Sequence, residues 1–204
     1  MDELLNEHEQ GERVRSWLQK NALGLIGGIA LGFALIYGWH WWKGQQASQR
    51  EGIATQYDQF NQVLATNPDQ AGKLLGGKLA GTAYAAVGAL DLAKVQVDAG
   101  NEAAALATLQ AAKTQDPALA AVIRQRTAEL LVSSGKAEDA VRLLGKPIDP
   151  AALEVLGDAQ VKLGKPAEAQ ASYRQALRTL EEGSPERQVV ELKLADVGGS
   201  TQAP

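Results

Sequence analysis

Leu153 to Leu177 reads LEVLGDAQVKLGKPAEAQASYRQAL. Gly164 closes one helix within it, as expected of a residue free to adopt the left-handed cap conformation. Ala169, Tyr173 and Ala176 follow five, nine and twelve residues later. The same places recur upstream. Gly100 is followed by Ala105, Leu109 and Ala112 at those offsets, and Gly135 by Ala140 and Leu144. A small residue at a fixed place lets two antiparallel helices approach closely, and the large one fills the groove beside it. The glycines are 35 and then 29 residues apart, which describes a helical repeat array.

The array resembles tetratricopeptide repeats, whose helix pairs span about 34 residues. In that register Leu92-Ala93 and Leu156-Gly157 fall on the small-residue step of the first helix. Asp116-Pro117 ends the first unit. The middle unit departs: Gly145, Pro147 and Pro150 shorten its second helix, and no alanine stands at the twelfth place. Ser184-Pro185 starts a last helix through Val197, with proline in the first turn. Its Val189, Leu192 and Leu194 are expected to cover the open end of the stack, as terminal repeats must. Residues 198–204 read as a disordered tail.

Before the array, Ala22 to Trp42 (ALGLIGGIALGFALIYGWHWW) carries no Asp, Glu, Lys or Arg. As a helix its 21 residues span about 31 Å, the thickness of a bilayer's hydrocarbon core. Trp39, Trp41 and Trp42 suit the headgroup region, and Lys20 and Lys43 bracket the run. A buried core helix would be shorter. A cleaved signal is disfavoured by the long, mostly acidic leader MDELLNEHEQGERVRSWLQK, by the length of the run, and by the lack of an A-x-A site. Residues 22–42 therefore read as a transmembrane helix. Three bases before it (Arg13, Arg15, Lys20) against two soon after (Lys43, Arg50) lean toward a cytoplasmic N-terminus.

The expected organisation is a polar tail over 1–21, the anchor over 22–42, polar and amphipathic connecting helices over 43–81, the repeat domain over 82–197, and the tail over 198–204. Val14, Trp17 and Leu18 sit at helical spacing and suit an interfacial turn leading into the anchor. In the connecting stretch Ile53, Tyr57, Phe60 and Leu64 form a helical stripe. Asn67-Pro68 stops that helix and Gly76-Gly77 interrupts the next. The fold class is all-α: a single N-terminal transmembrane helix followed by a tetratricopeptide-like helical repeat solenoid.

Composition narrows the function. Net charge is −4, and beyond residue 42 there are 19 acids and 17 bases, which is no electrostatic footprint for nucleic acid. No cysteine is present, so disulfides, thiolate metal sites and cysteine nucleophiles are excluded. His8 lies in the tail and His40 among the tryptophans, at opposite ends of the anchor, so they cannot share a metal. Glu138-Asp139 and Glu181-Glu182 are sequence neighbours on different helix faces, unsuited to paired acid–base work. Leu75-Gly76-Gly77-Lys78 lacks the spacing of a phosphate loop. No catalytic residue, cofactor or metal ligand is assigned, and the reading is of a binding protein, not an enzyme.

The order of parts resembles the bacterial ancillary SecYEG translocon subunit family. Trp17 and Lys20 lead into the glycine-rich anchor, and a Tyr57-containing helix follows. Then come Tyr84-Ala85-Ala86 before ALDLAK, Arg126 to Leu131 (RTAELL) before Gly135, Gly157-Asp158 before Tyr173, and Leu192 to Asp196 (LKLAD). The resemblance covers nearly all of residues 12–197. It implies a bacterial inner-membrane protein with a periplasmic helical domain, working beside the SecYEG translocon and a membrane-anchored periplasmic chaperone of the prolyl-isomerase class. The alternative is a cytoplasm-facing repeat adaptor that sequesters a signalling or regulatory protein at the membrane.

Two surfaces are candidates for binding. Gly24, Gly28 and Gly32 recur every four residues along the anchor, with Ala30, Ala34 and Gly38 on an offset stripe. Such spacing lets another membrane helix come close, although glycine is also common in membrane helices generally. The second surface is the hollow lined by the first helix of each pair. The repeat register places Val87, Leu90, Lys94 and Val97 there, then Gln125, Glu129 and Val132, then Glu154, Asp158 and Lys162. That mixed lining suits an extended polypeptide segment or a partner's segment; equally, its charges serve to keep a small domain soluble. Arg126 is expected to pair with a carboxylate between helices.

Overall fold

The computed structural model describes the backbone over residues 2–200 and the side chains over 12–46 and 51–200. His8 and residues 201–204 of the expected disordered tail lie outside those described side chains and residues. The chain divides into two compact units, Met1–Ala54 and Thr55–Pro204. Among the described residues every regular element is a helix: α1 (Asp2–Leu64), α2 (Pro68–Gly76), α3 (Ala83–Asp98), α4 (Glu102–Ala111), α5 (Pro117–Ser133), α6 (Ala137–Leu144), α7 (Pro150–Lys162), α8 (Pro166–Leu177) and α9 (Pro185–Asp196).

In the first unit, the segment of α1 around the apolar run is long and apolar enough to cross a membrane, with mean hydropathy 1.8 over its best window and none of that window buried by protein. Leu23, Ile26, Leu31 and Leu35 are all exposed. An unsheathed apolar surface of this size suits a lipid environment. At its far end Trp39 and Trp42 pack with ring centroids 5.6 Å apart, and Lys43 Nζ lies 5.6 Å over the Trp39 ring. That cation–π contact holds the ammonium at the level of the tryptophans. The tail from Asp2, the apolar run and the start of the connecting stretch to Leu64 all lie in α1.

In the second unit helices pack in antiparallel pairs, α3 with α4, α5 with α6, and α7 with α8. Gly100, Gly135 and Gly164 have φ of +77°, +76° and +69°, so each pair turns through a left-handed glycine as the spacing predicts. Ala105, Ala140 and Ala169 are fully buried, and Leu109, Leu144 and Tyr173 fill the places beside them. Proline opens α2, α5, α7, α8 and α9. Asp116 and Asp149 cap two of these by accepting from backbone N–H groups, which otherwise have no intrahelical partner. Asp116-Pro117 thus begins α5 as much as it ends the first pair.

The first and third pairs share a bond that periodicity does not reveal. Thr108 Oγ1 lies 2.9 Å from Gln96 Oε1, and Ser172 Oγ lies 2.7 Å from Gln160 Oε1. Each hydroxyl donates across its pair, and both bonds join places four before and eight after the turn glycine. The middle pair has Leu131 and Leu143 there instead, and its second helix α6 is eight residues long against ten in α4 and twelve in α8.

Packing draws segments upstream of Thr82 into the second unit. Phe60, Ala71 and Leu79 are fully buried. A Cβ on Gly88 would come within 3.1 Å of Phe60 and 2.7 Å of Leu75, so α3 carries glycine where the end of α1 and α2 press on it. At the other end, α9 covers the stack differently from expectation. Leu194 is fully buried as predicted, but its companion is Val190, also fully buried, while Val189 and Leu192 are 45% and 68% exposed. Residues four apart share a helix face. Val190, Leu194 and the half-buried Val197 make that face, and positions 189 and 192 look away from it.

Candidate partner-binding groove

The first helices of successive pairs, α3 and α5, are separated by a cleft of about 550 Å³. Its floor is Ala93, Leu109 and Leu130, and its walls carry Leu90, Val97 and Val122. Lys94, Asp91, Arg126 and Glu129 stand at the edge. Of the ten residues predicted for the hollow, Leu90, Lys94, Val97 and Glu129 therefore meet in one cleft. Gln125 joins them indirectly, its Nε2 donating to Glu129 Oε1 at 3.0 Å. Val87 is exposed on α3 but does not line the cleft. Val132 packs against the core below the second pair. Lys162 stands exposed in the last turn of α7, where its positive charge complements the negative end of the helix dipole.

Charge pairing at the cleft is local. Arg126 Nη1 reaches both Glu129 oxygens at 3.1 and 2.8 Å, and Lys94 Nζ reaches Asp98 at 3.0 Å. The Arg126 partner is thus on its own helix and not across helices as expected, because a three-residue step puts both on one face. Such exposed pairs contribute only about 0.2–1 kcal/mol each, so both can exchange partners at little cost. Asp91 accepts from the Tyr57 hydroxyl at 3.4 Å, and the Tyr57 ring lies 4.9 Å from that of Tyr84. Burial first, then Asp91 beside it, raises the Tyr57 hydroxyl pKa. Sequence reading missed Val122, whose position shows only once α5 is rotated by its buried face of Ile123, Thr127 and Leu131.

The third pair does not extend this cleft. Lys193 Nζ, from α9, lies 2.6 Å from Glu154 Oε1 and 2.7 Å from Asp158 Oδ2. The Tyr173 hydroxyl donates to Asp158 Oδ1 at 2.7 Å. Glu154 and Asp158 therefore hold the capping helix in place, and their expected role in lining an open hollow is corrected. Arg187 adds bonds to the carbonyls of Leu177 and Leu180, and Gln170 Nε2 donates to the carbonyl of Val197. The cause is topological: α9 folds back on α7 and α8, and a lysine at position 193 meets two carboxylates one helical turn apart.

Lys193 loses hydration on burial, which lowers its pKa, but the bonds to Asp158 and Glu154 outweigh this and the net direction is upward. Tyr173 is raised strongly, first by burial and then by its bond to Asp158. Both groups thus keep their protons to higher pH when folded. The stability they confer is complete below their ordinary values of 10.5 and 10.0 and is lost as pH rises through the folded ones. Unfolding by urea is expected to become easier above about pH 10 in the wild type. Lys193→Met removes the lysine part of that slope and leaves two carboxylates without their cation, at a cost of about 1–2 kcal/mol at neutral pH after allowing for partial exposure. A pH-independent difference between wild type and variant across pH 8–12 would contradict this assignment.

On the anchor, a Cβ at Gly24, Gly28 or Gly32 would meet nothing within 4 Å. Their face is open along the helix. His40 is exposed among the tryptophans, and among the described residues no group of three or more His, Cys, Asp or Glu side chains is arranged to hold a metal ion.

Fold and cleft together define a membrane-anchored helix-pair protein with an uncovered groove between first helices. The tetratricopeptide repeat-like domain family matches residues 15–199, apolar run included. Three curated relatives carry the name ancillary SecYEG translocon subunit. That of Haemophilus influenzae is 27% identical over 202 residues, covering 93% of this chain and 97% of its own. That of Escherichia coli is 32% identical over 146 residues, covering 68% and 69%, and that of Aggregatibacter actinomycetemcomitans is 24% identical over 211 residues, covering 93% and 97%. No solved structure matches the chain. The chain belongs to the ancillary SecYEG translocon subunit family.

Proposed function

We propose that this chain is a single-pass inner-membrane accessory subunit of the Sec translocon, with its helical unit in the periplasm. It acts as a scaffold without catalysis, bringing a prolyl-isomerase-class chaperone or an emerging polypeptide to the channel. The observation that carries this is the alignment of 93% of the chain, anchor and helix pairs alike, with a relative named as an ancillary translocon subunit. The open face at Gly24, Gly28 and Gly32 supports docking of a neighbouring membrane helix, since small residues let helix backbones approach in lipid. The cleft between α3 and α5 supports capture of an extended segment: its floor is apolar and its charges are held only by weak exposed pairs. Confining both partners to one membrane raises their effective concentration without any further contact.

Photoreactive residues placed one at a time at Gly28, Gly32 and Val122 in living cells test the proposal. Gly28 or Gly32 is expected to capture channel or chaperone subunits through their membrane helices, and Val122 a periplasmic chaperone or a secreted chain. Lipid alone at the glycines would remove the docking half. Capture of a cytoplasmic protein at Val122 would reverse the orientation and favour the cytoplasm-facing adaptor.

A further inference from the structure

A second cleft, of about 660 Å³, opens where α4 and α6 flank α5, and it is lined by residues of all three helices and of the α4–α5 connection. Its floor is apolar: Leu109, Ile123 and Leu131 are each under a tenth exposed. Thr127 also lies in the floor, but its hydroxyl is already satisfied by the carbonyl of Ile123 at 2.7 Å. The rim is cationic, with Lys113, Arg124 and Arg142. Its single acid, Asp139, is held by Arg142 one turn along α6. Among the described residues neither Lys113 nor Arg124 has a carboxylate within ion-pair distance.

The cleft arises from the irregularity of the middle pair. There the amide–hydroxyl bond that closes the other two pairs is replaced by Leu131 and Leu143, both of which line the cleft. Helix α4 ends at Ala111, and Ala112 at φ −65°, ψ 130° carries the chain away in extended form, placing Lys113 at the mouth. Two unpaired cations over an apolar floor have a definite complement. A guanidinium presents a fork that matches a carboxylate, and a lysine adds a movable point charge. The volume is that of a site for a few residues of a chain. In a unit whose charges are nearly balanced overall, this is a local excess of positive charge, so the attraction is specific to the site.

We infer that the α4–α6 cleft binds an acidic polypeptide segment carrying apolar side chains, its carboxylates on Arg124 and Lys113 and an aliphatic side chain on the Leu109–Ile123–Leu131 floor. This cleft shares Leu109 with the groove between α3 and α5 but has its own charged rim, and it gives the protein a second partner surface.

The test uses the full-length chain in nanodiscs of phosphatidylcholine, which carry no net lipid charge. A fluorescein-labelled peptide alternating glutamate and leucine is titrated by anisotropy, with a lysine–leucine peptide as the opposite-charge probe. Saturable binding of the glutamate peptide alone is expected, weakened by raised salt because the contacts are charged. Lys113→Gln with Arg124→Gln is expected to weaken it about tenfold or more, whereas Lys165→Gln, an exposed cation that lines neither cleft, leaves it unchanged. Ile123 is avoided because the fold depends on it; both rim residues are solvated and their replacement is expected to leave helicity intact. Equal binding of both peptides, or binding unchanged in the double variant, would overturn the inference. So would displacement by short-chain phosphatidylglycerol at lower concentration than by unlabelled peptide, which would make the cleft a lipid-headgroup site.

Discussion

Tyr173→Ala is expected to lower the unfolding free energy of the helical unit by about 3–5 kcal/mol, the range for deleting a large aromatic side chain from a packed core. The ring is 2% exposed and is among the largest fully buried side chains of the unit. It joins the α7–α8 pair to Val190 and Leu194 of the capping helix. Its hydroxyl bonds to Asp158, which Lys193 also holds, so truncation opens a cavity and loosens the α9 attachment together. Tyr173→Phe separates the two causes. It keeps the packing and loses one bond, at about 1 kcal/mol, because Asp158 retains Lys193. Urea unfolding of the full-length protein in detergent, followed by helical ellipticity, measures both. Equal losses in the two variants would mean that the hydroxyl, not the ring, dominates.

Gly157→Val is expected to cost about 3 kcal/mol, at the upper end of the range for forcing extra carbon into a filled core. A Cβ at this place would lie 2.7 and 2.8 Å from Tyr173 Cδ1 and Cζ, closer than side-chain carbons approach. Glycine inside a helix ordinarily costs about 0.5–1 kcal/mol relative to alanine. That gain is smaller than the penalty of displacing a buried ring, so glycine is favoured here. The two residues form one contact, so Gly157→Val combined with Tyr173→Leu should lose less than the sum of the single changes. Additive losses in that double variant would show that the close approach is not what excludes a side chain at 157.

Much of the helical unit is legible in the order of residues because its signals are local. A turn glycine, an alanine five residues on and a large residue nine on report the backbone and packing of a single helix pair, and proline after Ser184 reports a helix start; the prolines after Asn67, Asp116 and Asp149, which read as helix ends or interruptions in the sequence, open α2, α5 and α7 in the structure. The anchor is legible for a similar reason, since a long uncharged run answers to one solvent. The cap is legible only in part. Leu194 follows from the apolar pattern, but periodicity alone does not distinguish Val189 from Val190 on a helix with apolar residues at 189, 190, 192 and 194. Which of them is buried depends on how α9 is rotated against α8.

The groove shows the same division. Leu90, Lys94, Val97 and Glu129 follow from repeat register, because each is fixed by its own helix relative to the pair. Glu154 and Asp158 occupy the same register and are nevertheless covered, because Lys193 reaches them from 35 and 39 residues away in the chain. The sequence by itself determined the helices, their pairing and the membrane run, all consequences of spacing within a few turns. Only the tertiary structure decided where the hollow ends, which acids are free to meet a partner, and that a cationic cleft opens beside the middle pair. Those outcomes depend on which side chains are brought together across distant segments, and neither composition nor period encodes that.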